Sequence, residues 1–362
     1  MLSHLGWIYV ALIALWLVLR AIFFDQIWWL ALLNTFAIYL FVALPLLLLA
    51  SLWRRRWALV FGLAIPTTAF LALFGTLLLP KPNTLQIHDA TITAMTFNVL
   101  TSNKDTDALV NAIRAAQPDI LGMQELTSGK RAALRAAFGN QLPYHTLDRP
   151  TSFGNIGLMT RFPIETARPI TLPTAQPALY ARLRVNGQQL HVVVAHLTPN
   201  HLFKNPAINL ETAASDAFAR RAAEIAFLHE ELYGLSEPAL LLCDCNLTDT
   251  SQAYAELGSF LSDSFREAGW GLRQTNYASG VPFPMQRIDY VWHNVGLIAI
   301  AAEVGQAGGS DHLPVVVRLR LFQSAVSSKQ PAISSITAYC RLPAAYCSLV
   351  RVTQPPLRAH LV

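Results

Sequence analysis

Eight polar side chains in this 362-residue chain stand where apolar runs end or turn. Asn98 closes Met95-Thr96-Phe97-Asn98, and Glu125 follows Gln124 at the end of another run. His196 ends a valine-rich stretch. Asp244 and Asn246 close Leu240-Leu241-Leu242-Cys243, Asp289 sits in Ile288-Asp289-Tyr290, and Asp311 and His312 sit in Ser310-Asp311-His312. A side chain at the end of a buried strand is held rigidly, which suits a site. Four carboxylates, two amides and two imidazoles fit one chemistry well. Phosphate ester hydrolysis needs a cation to neutralise the non-bridging oxygens, a deprotonated water and a group that helps the leaving oxygen. Magnesium takes carboxylate oxygen and water, so Mg²⁺ is the expected cofactor, with Mn²⁺ as the substitute. Zinc would ask for more His or Cys.

In this order, Phe97-Asn98, Gln124-Glu125, His196-Leu197, Asp244-x-Asn246, Ile288-Asp289-Tyr290 and Ser310-Asp311-His312 resemble the endonuclease/exonuclease/phosphatase family. The likeness spans about residues 91–321. Each piece alone is weak; six in sequence are specific. The resemblance implies a four-layer α/β sandwich of two mixed sheets flanked by helices. It also implies roles: Glu125 as main metal ligand, with Asn98 and Asp311 beside it, and His312 paired with Asp289 to handle the proton of water. Asp244 would position or activate the nucleophile, and Asn246 and His196 would touch phosphate oxygens. One departure stands out. The family's Gly and aromatic around the Asp are here Cys243 and Cys245. Alternation turns both away from Asp244, so they are expected as apolar core residues. With Cys340 and Cys347 they have neither zinc spacing nor the look of a disulfide framework.

The elements that must carry these residues are readable. Strands are expected at 91–98, 120–124, 155–160, 179–185, 189–196, 239–243, 288–292 and 315–321. Asn186-Gly187 marks a hairpin. Helices are expected at 107–116, 130–138 and 210–232. Arg220 and Arg221 read as a solvated face of the last helix, and Arg287 as an ion-pair or surface residue. His191, His201 and His229 have no motif around them.

Ahead of this lies a different composition. Residues 1–80 hold only Arg20, Asp25, Arg54, Arg55 and Arg56 as charges. Three apolar segments, 7–24, 28–51 and 57–79, are each long enough to cross about 30 Å of hydrocarbon. Trp28, Trp29, Trp53 and Trp57 fall at their ends, where an amphipathic indole belongs. Pro66 lies inside the third, where a membrane helix tolerates a kink. Short basic loops stay cytoplasmic, so the triple arginine places the first residue inside and everything after Pro80 outside. The three-helix anchor is similar to that of the VanJ-like bacterial members of the family.

The domain plan is therefore an anchor at 1–80, a linker at 81–90, a catalytic domain at 91–322, and a tail at 323–362, rich in Ser, Ala and Pro without a usable period, that is expected to be disordered or loosely attached. The basic pI of about 9.1 is not a nucleic-acid footprint, since no Lys/Arg stripe appears. The expected protein is a multi-pass enzyme of the cell membrane, its catalytic domain extracytoplasmic. Its partners are the lipid bilayer and a phosphate mono- or diester, with a lipid-linked ester leading. A surface nuclease acting on DNA or RNA is the alternative enzyme, and an inactive receptor or adaptor on the same fold the alternative class.

Overall fold

Two apolar strand runs, each parallel to the next through a helical crossover, organise the molecule. The computed structural model describes residues 2–81, 91–148, 153–199, 209–278 and 280–322. The expected linker, Lys81 aside, and the expected tail lie outside the described residues. The strands are β1 (Thr91–Asn98), β2 (Ile120–Gln124), β3 (Tyr144–His145), β4 (Gly157–Thr160), β5 (Ile164–Thr171), β6 (Pro177–Val185) and β7 (Gln188–His196). They continue with β8 (Ala239–Asp244), β9 (Ser262–Asp263), β10 (Asn276–Tyr277), β11 (Pro284–Gln286), β12 (Asp289–His293), β13 (Leu297–Val304) and β14 (Val315–Leu321). One six-stranded sheet has the order β13-β14-β1-β2-β4-β3, the other β5-β6-β7-β8-β12-β9, and β10-β11 is a separate small hairpin. Only β1/β2 and β7/β8 are parallel within the two large sheets, so both are mixed. A parallel pair needs a crossover. The helix Thr106–Ala116 supplies the first and Leu210–Leu232 the second.

The sheets pack face to face through Ala94, Ile120, Leu158, Val192, Val194, Leu240, Leu242 and Val291. Their approach is close at Gly122, where a Cβ would come within 2.8 Å of Leu242. Thr106–Ala116 and Ser128–Phe138 cover the outer face of the first sheet, with Leu109, Ile113, Leu134 and Phe138 against Met95, Phe97 and Met123. Ile225 and Leu228 of Leu210–Leu232 cover the second, over Val193, Leu241 and Trp292. The architecture is therefore helix, sheet, sheet, helix, as expected. Each of the three helices has a side-chain N-cap, Asp105, Thr127 or Asn209, which satisfies an otherwise orphaned N–H. The Asn186-Gly187 turn has positive φ at both residues, 49° and 84°, as a two-residue hairpin with a I′ turn requires.

Two of the longer strands were not expected. β5 exposes most of its length and contains Pro169, which an edge strand tolerates. β13 is alanine-rich with no clean alternation, because it packs both on the sandwich and on the N-terminal helices. Arg221 corrects another expectation. It is 1% exposed, donates to the Thr198 carbonyl at 3.1 Å, and only its neighbour Arg220 is exposed. Burial pushes the Arg221 guanidinium down to about 10.

The N-terminal part contains α1 (Leu2–Phe23), α2 (Trp28–Thr35), a 3-10 turn (Ala37–Phe41), α3 (Leu44–Trp53), α4 (Trp57–Gly62) and α5 (Ala64–Leu78). Ser3–Phe23 and Trp57–Leu78 are long and apolar enough to cross a membrane. The expected second span is instead bent by 67° between Trp28–Thr35 and Ala37–Trp53. The break falls at Phe36, directly after Asn34 and Thr35, two buried polar residues in the apolar run. Asn34 Oδ1 accepts from Trp16 Nε1 at 3.0 Å, and Asn34 Nδ2 donates to Asp25 at 2.7 Å. Gly6 lies against Leu59 and Gly62 against the Trp7 ring, so the start of α1 and α4 share one end of the bundle. The other end meets the sandwich.

That junction is polar. Gln252 N–H donates to Asp25 at 2.5 Å, and Thr248 donates to the Thr35 carbonyl at 3.2 Å. Thr250 donates to the Asn34 carbonyl, and Arg20 to the Thr250 carbonyl. Arg266 reaches the Leu73 carbonyl at 2.8 Å.

Candidate active site

Strand register gathers the expected residues. Asn98 pairs with Gln124, the residue before Glu125. Asp244 is level with His196 on one side and with Asp289 on the other. Ser310 Oγ donates to the Asn98 carbonyl at 2.7 Å and so ties the Asp311-His312 turn to the first sheet. The second sheet thus contributes Asp244, His196 and Asp289, and the first contributes Asn98 and Glu125.

Asp244 is the hub. Its Oδ2 accepts from Asn98 Nδ2 at 2.8 Å and lies 3.4 Å from His196 Nε2 and 3.9 Å from His312 Nε2. Asn98 Nδ2 also reaches Glu125 Oε1 at 3.2 Å. Glu125 Oε2 accepts from the Thr101 N–H at 2.7 Å. His312 Nδ1 lies 3.1 and 2.9 Å from the two oxygens of Asp289. Asn246 is near but turned aside: its amide donates to the Leu197 carbonyl at 3.0 Å, and its N–H reaches Asp244 Oδ1 at 3.4 Å. Asp311 Oδ1 is buried with no hydrogen-bond partner. Glu125, Asn246 and Leu100 have φ of 58°, 50° and 53°. Left-handed backbone at three non-glycine residues around one cluster is strain of the kind that gathers at working sites.

The electrostatics follow from burial and like charge. Burial alone would raise Glu125, but the Thr101 N–H and the Asn98 amide hold it below the usual carboxylate range. Burial raises Asp311, partly offset by His312 and reinforced by Glu125. Burial pushes Asp289 up to about 6. For His312 burial opposes the charge, yet Asp289 and Asp244 overcome it and push the imidazolium up to about 10. The pair therefore favours a protonated imidazole with a carboxylate behind it.

Two neighbouring groups of side chains bear on where a cation would sit. Asp244, Asp289 and His312 each offer a ligand atom within 4.8 Å of one another. Asn98, Glu125 and Asp311, the ligands expected from the sequence, are the second; there Asn98 turns Nδ2 towards Glu125, and its Oδ1 accepts from the Leu100 N–H at 3.0 Å. The second fits a hard cation better. Both Asp289 oxygens are engaged by His312, and His312 Nε2 already faces Asn276 Nδ2 at 2.9 Å, whereas Asp311 Oδ1 is an orphan that a cation would satisfy.

Three participants escaped the sequence reading. Asn276 contacts His312, Thr275 Oγ1 accepts from the Asp289 N–H at 3.2 Å, and Ser310 Oγ accepts from the His312 N–H at 3.0 Å. Only Ser310 had a signal, its place beside Asp311. Cys243 and Cys245 are buried in the outer core as expected, but their sulfurs are bonded to each other. Side chains two apart on a strand point the same way, and the 5.1 Å Cα separation is within disulfide reach. Arg287 is a buried ion-pair residue, 2.8 Å from Asp249 and 2.6 Å from Asp263.

Two mixed sheets packed face to face between helices, with an acid–imidazole cluster along one shared edge, define a four-layer α/β sandwich of the phosphoesterase type. The chain belongs to the Endonuclease/Exonuclease/phosphatase family, whose sequence model matches residues 95–312. Members of that family are typically metal-dependent hydrolases of phosphate esters. The fold is similar to that of an endonuclease/exonuclease/phosphatase from Bacteroides vulgatus, at 17% identity and a TM-score of 0.52, over 64% of this chain and 100% of that one. Humanized D. rerio TDP2 is similar at 16% identity and a TM-score of 0.51, over 64% and 99%. A functionally unknown conserved protein from Enterococcus faecalis is similar at 16% identity and a TM-score of 0.51, over 64% and 100%. No curated protein matches the chain in sequence.

Proposed function

We propose that the protein is a membrane-anchored, Mg²⁺-dependent phosphoesterase, with Mn²⁺ as a substitute, that cleaves a phosphate mono- or diester at the membrane surface. The observation that carries this reading is the convergence on Asp244 Oδ2 of Asn98, His196 and His312 within 3.9 Å. Glu125, Asn98 and Asp311 would hold the cation. When bound, it would neutralise the phosphate oxygens as negative charge builds on them. Asp244 orients and deprotonates the attacking water, helped by the Asn98 amide that fixes its carboxylate. His312, kept charged by Asp289, offers a proton or hydrogen bond from Nε2 to a phosphate or leaving oxygen. His196 and the Asn246 amide complete the phosphate contacts, the latter after release from Leu197. Turnover of a phosphodiester and a phosphomonoester panel by the purified full-length chain, with Mg²⁺ and with EDTA, tests this. Hydrolysis that stops in EDTA and returns with Mg²⁺ is expected; inertness towards every ester would refute it.

The catalytic domain is proposed to lie outside the cytoplasm. The basis is the Arg54–Arg56 loop at the bundle end opposite the sandwich. A reporter fused after Lys81 would report an extracytoplasmic location, and cytoplasmic signal there would refute it. The DNA or RNA reading has no basic stripe to support it. A receptor or adaptor would have no need of the strained, acid-lined cluster.

A further inference from the structure

A groove of about 290 Å³ is lined by segments that flank Asn276 and His312 in the chain. Leu272, Pro284, Val304 and Leu313 form its apolar walls, with Arg273 and Gln274 at its edge. Arg273 is the only charged lining residue and, among the described residues, forms no ion pair. One part of its lining is next in the chain to the chemistry, and Leu313 N–H donates to the Thr275 carbonyl. Leu313 follows His312, and Gln274 is two residues from Asn276, whose amide touches the His312 ring. Another part meets the helical bundle. Leu272, Arg273 and Gln274 also line a second crevice whose far wall is Ile38, Phe74 and Leu77. Gly271 N–H donates to the Leu77 carbonyl at 2.7 Å, Trp270 Nε1 to the Leu78 carbonyl at 3.3 Å, and Tyr39 OH to the Met285 carbonyl at 2.7 Å. Trp270 and Phe283, close in the chain to the lining residues Leu272 and Pro284, are 59% and 55% exposed, and Trp270 meets the end of an apolar helix. Exposed aromatics there suit a membrane–water boundary.

We propose that this groove is a binding site for the alkyl chain of a membrane-resident phosphate ester. The phosphate would lie at His312, the chain would run between Leu272, Pro284 and Val304 back towards Phe74 and Leu77, and Arg273 would draw the anionic head out of the bilayer. The apolar walls, the single unpaired cation and continuity with the apolar helices all select this occupant. It rests on the hydrolase reading above.

The test uses the full-length protein in one detergent and two matched ester pairs: ethyl and hexadecyl p-nitrophenyl phosphate, and ethyl and hexadecyl phosphate. The readout is the ratio of long-chain to short-chain kcat/KM, which cancels changes in chemistry. Leu272→Asp places a charge on the groove wall and is expected to lower that ratio at least about tenfold, because the wall gives up apolar surface and an alkyl chain seated there would bury a carboxylate. Leu272→Met is expected to keep it, and so is Val295→Asp, a charge on a residue 90% exposed outside the groove. A ratio unchanged in Leu272→Asp, or lowered equally by Val295→Asp, would overturn the groove while leaving the hydrolase reading in place. Inertness of the unmutated protein towards both pairs would instead remove the hydrolase reading, and the groove's substrate with it.

Discussion

The N-terminal helices and the α/β sandwich solve burial in opposite ways. The sandwich puts Leu240, Leu242, Val192 and Val194 out of reach of solvent and ties its buried charges down, Arg287 in ion pairs and Lys130 and Arg221 on backbone carbonyls. The bundle leaves Leu46, Leu49, Leu12 and Phe61 exposed, Phe61 at 77%, while Asn34 and Ser51 are fully buried. The bundle also has an apolar core, Leu30, Leu59 and Leu63 among it, but exposed apolar side chains on this scale suit surroundings that are themselves apolar. The two regions meet not through an apolar seam alone but through Asp25, Asn34, Thr35 and Arg20 set against the 248–252 loop. That loop begins two residues after Asn246. The helices therefore brace the segment that follows β8.

The comparison can be broken most forcefully in the sandwich. Asp244→Asn removes the carboxylate on which the cluster converges, and turnover is expected to fall by roughly 10²–10⁴ with the fold intact, read by initial rates and circular dichroism. Next comes Leu242→Ala, which empties a position packed against Gly122 between the sheets. It is expected to cost about 2–5 kcal/mol in denaturant unfolding. At the junction, Asn34→Leu leaves Asp25 Oδ1 and the Trp16 N–H without Asn34, so about 1–3 kcal/mol is expected. Because the 248–252 loop leans on the same knot, turnover should fall with it; a variant that is destabilised yet fully active would show that the brace is not felt at the site. The smallest effect belongs to Leu46→Ala. Leu46 is 70% exposed, and the same Leu→Ala change is expected to stay within about 0.5 kcal/mol. A destabilisation at Leu46 as large as that at Leu242 would contradict the contrast between the bundle's exposed apolar surface and the core of the sandwich.

The sequence was most legible where a polar residue ends a strongly apolar run. Val192–Val194 and Leu240–Leu242 are buried on both faces, so their strand character and the place of His196 and Asp244 follow from hydrophobicity alone. Edge strands gave less. β5 buries chiefly Ile170, so no period survives in its sequence. Thr275 and Asn276 were invisible because a two-residue strand has no period, and their roles arise from a pairing with the distant Asp311–Leu313 segment. The break in the second apolar segment was marked only by Asn34-Thr35, two small polar residues whose partners, Trp16, Asp25 and Thr248, are remote in sequence. The inward turn of Arg221 likewise depends on the Thr198 carbonyl and not on its own helix.

The central claim, that this edge of the sandwich is a metal-dependent phosphoesterase site with divided roles, is tested most directly by metal titration of two variants. Turnover of one phosphodiester is measured against Mg²⁺ for the unmutated chain, Glu125→Gln and His312→Ala. Glu125→Gln takes an anionic ligand from a hard-cation site, so its activation curve is expected to shift to higher Mg²⁺ and its rate to recover in part at saturation. His312→Ala removes the proton-handling group, so its midpoint is expected to stay while the rate falls by about 10²–10⁴ at every Mg²⁺ concentration. Recovery of His312→Ala by added metal while Glu125→Gln stays inactive would show the two roles reversed, and full activity in both variants would show that the chemistry lies elsewhere.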